Sequence, residues 1–302
     1  MEKVSKAELM NALGGFTQMN IKRLIIFLAG LISCSISWCG NDFEEKKLEP
    51  AILRVVYERI KVTDTLKSKD DYSKDLLTLQ VGKDVSAFYS AQRKTEDSIS
   101  ERNVDYMLAI IENPQAFEES ASLEKEVIFK NYPYGKNTVF QRFDLENWVY
   151  TEDIEKPEWK IINDSSKIIL DYQCMLAVCN YRGRTWIAWF TPEIPISDGP
   201  WKLSGLPGII LEAYDSKQHY HYTAISLRTD NIGDVEYFNY SDRLKTERIK
   251  SLIQRRKALG ESIKNQIVAS GAFGIDPKKV KLDKGRPAHT NYDFEETDYP
   301  HK

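Results

Sequence analysis

The sequence predicts a mainly β protein, an antiparallel sheet with a short helical insertion and a C-terminal helix. Three observations carry this. Apolar residues alternate with polar ones over 77–89, broken only by Gly82-Lys83-Asp84, which is the period and turn chemistry of a hairpin. From 138 to 227 short aromatic and β-branched segments follow one another between turn residues, as strands of a meander do. Only two stretches show helical spacing.

Taken in order, Ala51 to Asp64 is rich in Val and Ile and reads as a first strand. The hairpin follows, with Leu77, Leu79 and Val81 on one arm and Val85, Ala87 and Tyr89 on the other. Beyond Ser98, a candidate cap, Val104, Met107, Leu108 and Ile111 fall on one helical face, and Asn113-Pro114 ends the run. Strands are then expected at Thr138–Asp144, Trp148–Asp153, Trp159–Ile162 and Lys167–Leu170, separated by Glu155-Lys156-Pro157 and Asn163-Asp164. Tyr181–Phe190, Ile209–Tyr214 and His221–Leu227 continue the sheet. Ile249, Leu252, Ile253, Leu259, Ile263 and Ile267 mark a helix within Asp242–Ser270, capped by Ser241-Asp242 and stopped by Gly271. Its Lys250, Arg255, Arg256 and Lys257 read as a solvated face, since Glu247 and Glu261 interrupt them and no stacking aromatics accompany them.

At 302 residues and 42% hydrophobic composition the chain can build a sizeable core. Its 42 basic and 45 acidic side chains leave a net charge of −3, which gives no general attraction to nucleic acid or an anionic membrane. Lys22-Arg23 precede the apolar run Leu24–Ile32, the n-region and h-region of a secretory signal. The run falls short of the roughly 20 apolar residues a membrane span needs. The expected organisation is an upstream extension over 1–18, a signal peptide over 19–37, a linker over 38–50, one β-rich domain with its helix over 51–270, and an extended or disordered tail over 271–302. Leu31-Ile32-Ser33-Cys34 is similar to a bacterial lipobox, which would acylate Cys34. Ordinary cleavage after Ser35 or Ser37 fits equally well. Any membrane attachment would run through Cys34. Cys39, Cys174 and Cys179 show no metal or redox spacing and read as buried or stray thiols.

The most constrained stretch is Arg182–Tyr214, with four prolines, four glycines and three tryptophans. Leu206-Pro207-Gly208-Ile209 suits a type II turn, Pro207 presetting φ and Gly208 taking the positive φ. The chain carries Tyr172-Gln173-Cys174, Gly183-Arg184, Ala188-Trp189-Phe190-Thr191, Ile194-Pro195, Asp198-Gly199-Pro200-Trp201 and Gly205-Leu206-Pro207-Gly208. In these motifs it resembles the GLPGLI family. The resemblance implies an exported protein of Bacteroidetes-type bacteria, in a family without an established biochemical role. It also implies kinship with the bowl-like N-terminal domain of one class of peptide-N-glycanase, and hence a curved sheet. Cys179 departs from the pattern.

Candidate functional residues lie in and beside this loop: Arg184, Trp189, Glu193, Pro195, Asp198, Trp201, Gly205, Leu206, Pro207 and Gly208. Trp186, Trp189 and Trp201 could cover sugar rings, but core packing is favoured, and Trp186 and Trp189 must face opposite sides of a strand. Glu193 and Asp198 could serve as a hydrolase's acid and base. Asp198 before Gly199-Pro200 more simply accepts hydrogen bonds within a turn. Arg184 is expected to pair with one of these carboxylates and pin the loop, or to bind an anionic ligand. His219 and His221, two apart on a strand, could face a metal together, but as two isolated ligands they read as surface histidines. No cofactor motif occurs. The leading expectation is a non-catalytic binding or accessory module with an envelope protein or glycan as partner, and the alternative is a hydrolase acting through Glu193 and Asp198.

Overall fold

Two meanders joined along one seam make the sheet. In the computed structural model the described residues are 43–62, 65, 72–92, 94–95, 126–143, 146–240, 243–259 and 294–300. Apart from Thr95 they belong to one compact unit. The first meander runs through β2 (Leu53–Val62), β3 (Tyr72–Val81), β4 (Ser86–Tyr89), β5 (Val127–Lys130), β6 (Lys136–Phe143) and β7 (Glu146–Asp153). The second runs through β8 (Lys160–Ile169), β9 (Tyr172–Tyr181), β10 (Arg184–Thr191), β11 (Ile209–Asp215) and β12 (Tyr220–Arg228). Antiparallel pairing of β2 with β12 joins them, and β14 (Arg243–Lys245) adds a parallel edge beside β7. A separate ribbon pairs β1 (Phe43–Pro50) with β13 (Asp234–Tyr240), and one helix, α1 (Arg248–Leu259), follows β14.

The connectivity forces this sheet to curl. β7 and β8 are ten strand steps apart in the sheet order, yet only residues 154–159 connect them. Ten steps at about 4.8 Å would separate them by about 48 Å if the sheet were flat, whereas the connection spans at most about 25 Å. The two ends of the sheet therefore approach each other across its inner face. Arg182, after β9, reaches Glu152 of β7 at 3.0 Å.

Period-two alternation fills that inner face. Leu53, Val55 and Tyr57, then Leu77, Leu79 and Val81, then Tyr220, Tyr222 and Ala224, then Trp186, Ala188 and Phe190 are buried on successive strands. Aromatic edges bind the strands together: Phe88 meets Tyr57 at 6.3 Å and Tyr222 at 6.2 Å, and Trp186 meets Trp201 at 5.5 Å. On the outer face the β1–β13 ribbon covers β4–β6, where Val235 and Phe238 pack on Ala87, Tyr89, Phe129 and Phe140. Glu49 of β1 accepts the backbone N–H groups of Asp84 and Val85, both at 2.8 Å, tying the ribbon to the β3–β4 turn.

The mainly β reading, the hairpin and the C-terminal helix agree with this architecture, and several boundaries move. Residues 43–50, read as linker, form β1, because their hydrogen bonds go to β13, a strand that local pattern did not mark. β5 was likewise unmarked. Trp159–Ile162 and Lys167–Leu170 merge into β8, which absorbs Asn163-Asp164 in an irregularity between Ile162 and Ser166. Arg182 and Gly183 are not in a strand but form the turn between β9 and β10, both at positive φ (51° and 82°) as a tight two-residue hairpin requires. Residues 243–245, assigned to the helix, are β14, and α1 is described from 248 to 259. The tail is not wholly extended away from the domain: Phe294, Glu295, Glu296 and Tyr299 are buried against it, so the domain does not end at 270. The helical insertion of 98–113, the extension over 1–18, the signal over 19–37 and Cys34 lie outside the described residues. Among the described residues no helix is long and apolar enough to cross a membrane.

Candidate functional site

The constrained loop between β10 and β11 folds back over the inner face and buries its middle. Trp201, Lys202, Leu203 and Leu206 are buried there, while Glu193, Pro195, Gly205 and Pro207 face solvent. Asp198 is its anchor. It accepts from Lys130 Nζ at 2.6 Å, from Ser86 Oγ at 2.6 Å and from the Gly199 N–H at 2.7 Å. Lys130 also donates to the Gly199 carbonyl at 2.7 Å. Burial lowers the Lys130 pKa and outweighs the opposing pull of Asp198. Glu193, by contrast, is exposed and accepts the Gln173 N–H at 2.9 Å. The two carboxylates thus serve different strands, one at β4 and β5 and the other at β9, and share no partner described for either.

The type II turn is corrected. Gly208 does not have a positive φ; Gly205 does, at 97°. Gly208 is needed for a different reason, because a Cβ there would stand 2.0 Å from the Thr191 carbonyl oxygen and 2.6 Å from its carbon. The loop's two ends press backbone on backbone at this point. The tryptophans resolve as packing: Trp186 and Trp201 are buried in the core. Trp189 lies on the opposite face of β10, partly buried, with Lys167 Nζ 5.7 Å from its ring centre. The only one of the three on the outer face therefore sits beneath a lysine.

Arg184 pairs with neither Glu193 nor Asp198. Its guanidinium is buried, 3.0 Å from Asp215, and donates to the backbone carbonyls of Phe294 and Glu295 at 2.5 and 3.1 Å. Register explains this: Arg184 opens β10 and Asp215 ends β11, so they meet at the same end of the sheet. The histidines also separate. His219 Nδ1 lies 3.5 Å from Arg184, whereas His221 Nε2 meets Glu212 at 2.8 Å on the outer face. Lys167 pairs with the same carboxylate. Burial would raise the Glu212 pKa, and His221 with Lys167 overcomes that and lowers it. Among the described residues no group of three or more His, Cys, Asp or Glu is placed to hold a metal.

The largest concentration of charge was not singled out in the sequence. It lies where the segment 294–300 crosses the inner face. Arg59 of β2, nearly inaccessible, meets Asp75 at 2.7 Å and Glu295 at 3.3 Å, and Tyr222 donates to Glu295 at 3.2 Å. Beside it Lys202, with its side chain 0% exposed, stands 2.5 Å from Glu296 and 2.6 Å from Glu152, the latter an ion contact without hydrogen-bond alignment. Arg248 of α1 joins Glu296 at 2.5 Å and Asp298 at 2.8 Å. Burial opposes the Lys202 charge, but Glu296, with Tyr150 and Glu152, raises its pKa well above the usual value. Burial would raise the Glu296 pKa as well, and Lys202 with Arg248 holds it low. The segment is also held by its backbone: the Thr297 N–H donates to the Arg182 carbonyl and Thr297 Oγ1 to that of Gly183, both at 2.9 Å. A Cβ on Gly183 would meet Thr297 Oγ1 at 2.3 Å and the Asp298 nitrogen at 2.8 Å. A signal for this site existed in Phe294-Glu295-Glu296-Thr297-Asp298-Tyr299, where aromatics bracket the acids. That is unlike the aromatic-poor composition of disordered segments.

Residues 179–212 match a family described as "Protein of unknown function (Porph_ging)". The match contains Gly205-Leu206-Pro207-Gly208 but carries a different family name from the one the motif resemblance suggested. No curated protein matches the chain. Two solved structures described as PNGF-II, in P21 and C2 space groups, are similar at 13% and 15% identity, each with a TM-score of 0.46. Each match covers 70% of this chain and 34% of the other, so the chain spans about a third of the length of the structures it matches.

Proposed function

We propose that the chain is an exported binding or accessory module of the cell envelope, with an envelope protein or glycan as its partner, and that the loop from Thr191 to Gly208 is scaffold rather than catalytic machinery. The observation that carries this reading is the fate of the two loop carboxylates. A hydrolase acid and base must converge on one bond. Here Asp198 is buried against Lys130 and Ser86, and Glu193 is spent on a backbone N–H at the surface. Arg184, the loop's nearest guanidinium in sequence, is taken up by Asp215 and the C-terminal backbone.

The test pairs Glu193→Gln with Asp198→Asn. We expect Asp198→Asn to lower the melting temperature, since it weakens a buried ion pair with Lys130, and Glu193→Gln to leave it within about 2 °C of wild type, as surface changes do. Turnover of an envelope glycan or peptide that either substitution abolishes at unchanged melting temperature would overturn the reading. Export is checked separately by mass spectrometry of the mature N-terminus, where an intact Met1 in the cytoplasm removes the localisation and an acylated Cys34 selects the lipoprotein branch.

A further inference from the structure

The segment 294–300 reaches the inner face as a separate stretch of sequence, with residues 260–293 between it and the end of α1. Its recognition has the features of a peptide complex. Backbone groups are read by Arg184 and by the Arg182 carbonyl, which fixes direction and register in an extended chain, while the Gly183 carbonyl accepts the Thr297 hydroxyl. Side chains are read by charge, since Glu295 goes to Arg59, Glu296 to Lys202 and Arg248, and Asp298 to Arg248. The bracketing aromatics meet arginines: the Arg255 guanidinium lies 4.5 Å from the Phe294 ring centre, and Arg256 Nη1 donates to the Tyr299 hydroxyl at 2.9 Å.

Subtracting the segment shows what the surface beneath it wants. Arg59 would keep Asp75, and Arg184 would keep Asp215. Arg182, Lys202 and Arg248 would be left around Glu152, with Glu155 reaching Arg182 from a largely exposed position. Three cations would then face one carboxylate, Glu152, and their excess positive charge at the uncovered surface attracts an acidic chain. Glu295, Glu296 and Asp298 supply the counter-charges in the folded chain.

We infer that this cationic groove is a binding site for an extended acidic peptide, of the pattern aromatic-acid-acid-x-acid-aromatic, and that Phe294–Pro300 is its tethered occupant, exchangeable for a segment of the same chemistry supplied by another polypeptide. This rests on the module reading and names the class of partner for it. Covalent attachment makes the native segment an intramolecular competitor of any added peptide, so the intact chain resists exchange and the chain freed of its tail accepts it.

The test uses a synthetic peptide of residues 291–302 and the chain lacking those residues. Calorimetric titration is expected to show saturable one-to-one binding, at least tenfold tighter than to the intact chain and weakening as salt rises. A peptide carrying Glu295→Gln, Glu296→Gln and Asp298→Asn is expected to bind at least tenfold more weakly. A shortened chain that keeps its β-sheet circular dichroism and does not bind the peptide overturns the inference. Should the shortened chain fail to fold, a protease site placed between 260 and 293 of the full chain decides instead. After folding and cleavage, labelled peptide should replace the native segment under native conditions, and a segment released only on global unfolding overturns the inference. Neither negative result touches the module reading, which stands or falls on turnover by the loop carboxylates.

Discussion

Replacing Gly208 with alanine adds one carbon, and the structure says where it goes: 2.0 Å from the Thr191 carbonyl oxygen, 2.6 Å from the Thr191 carbon and 3.0 Å from the Pro192 Cα. All three are backbone atoms, so no rotamer change can yield. Moving the 208 backbone away would pull on the Ile209 N–H bond to Ile194 (3.1 Å) and on the Ile210 N–H bond to Asp198 (3.0 Å), which hold the loop to β11. Overpacking of a tight site costs about 1–3 kcal/mol, and here the upper end applies because strand pairing between Thr191 and Ile209 is adjacent. At about 2–4 °C per kcal/mol for a domain of this size, the melting temperature should fall by about 6–12 °C. Gly205 is the control. Its φ is 97°, but a Cβ there has no neighbour closer than 3.5 Å, so Gly205→Ala should cost about 1–2 kcal/mol as a left-handed strain. Asparagine, which tolerates that region, should recover part of the loss at 205 and none at 208. Thermal melts followed by circular dichroism measure all four variants. A Gly208→Ala melt within 2 °C of wild type, or a rescue by asparagine at 208, would refute the overlap argument and return the position to a φ requirement.

Lys202→Met should destabilise by about 1.5–3 kcal/mol in urea unfolding, because it removes the buried cation between Glu152 and Glu296 and leaves each with guanidinium partners only, Arg182 and Arg248; a change below about 1 kcal/mol would mean the cluster is hydrated. Glu296 and Asp298 have folded pKa values below their usual 4.5 and 3.8, so their contribution is present above those unfolded values and is lost as pH falls through the folded ones. Stability tracked by melting should therefore be level from pH 5 to 8 and decline below about pH 4.5, and Glu296→Gln should shallow the decline. Burial pushes the Cys174 thiol up to about 11 and the Cys179 thiol up to about 12, so both should react negligibly with a disulfide reagent at pH 8 in the native state and promptly in denaturant; rapid native reaction would contradict their burial.

Strand identity was legible wherever a strand had one wet face and one dry face, as in β2, β3 and β12, because period two is then written into the residues. It was not legible in β1, whose partner β13 lies far along the chain and whose Glu44-Glu45-Lys46-Lys47 carries no apolar stripe. The helix start was misplaced because Ser241-Asp242 offers a local cap, whereas the parallel contact of 243–245 with β7 is a tertiary fact. At the loop, the Gly199 N–H bond to Asp198 and the burial of Trp186 and Trp201 follow from local chemistry, whereas the Lys130 and Ser86 partners of Asp198 and the outward face of Trp189 do not. The need for Gly208 was visible, but its cause was not, since a backbone approach between residues 191 and 208 has no local signature. The charged groove escaped for a like reason. Arg59, Lys202 and Arg248 are scattered singletons in sequence, and only the curl of the sheet assembles them.

The seam between β2 and β12 sets an order on how the chain becomes itself. β2 meets β3 across one short connection, but its other neighbour is synthesised only after all of β8 to β11. A partner so remote in sequence is slow to find, since the entropy of closing the intervening chain is lost before any contact compensates it. During that interval the first meander presents β2 as a bare edge with Val55, Tyr57 and their neighbours uncovered, an open template for pairing with other molecules. The vulnerable moment in the life of this protein is thus the one in which residues up to β7 have emerged and those of β12 have not.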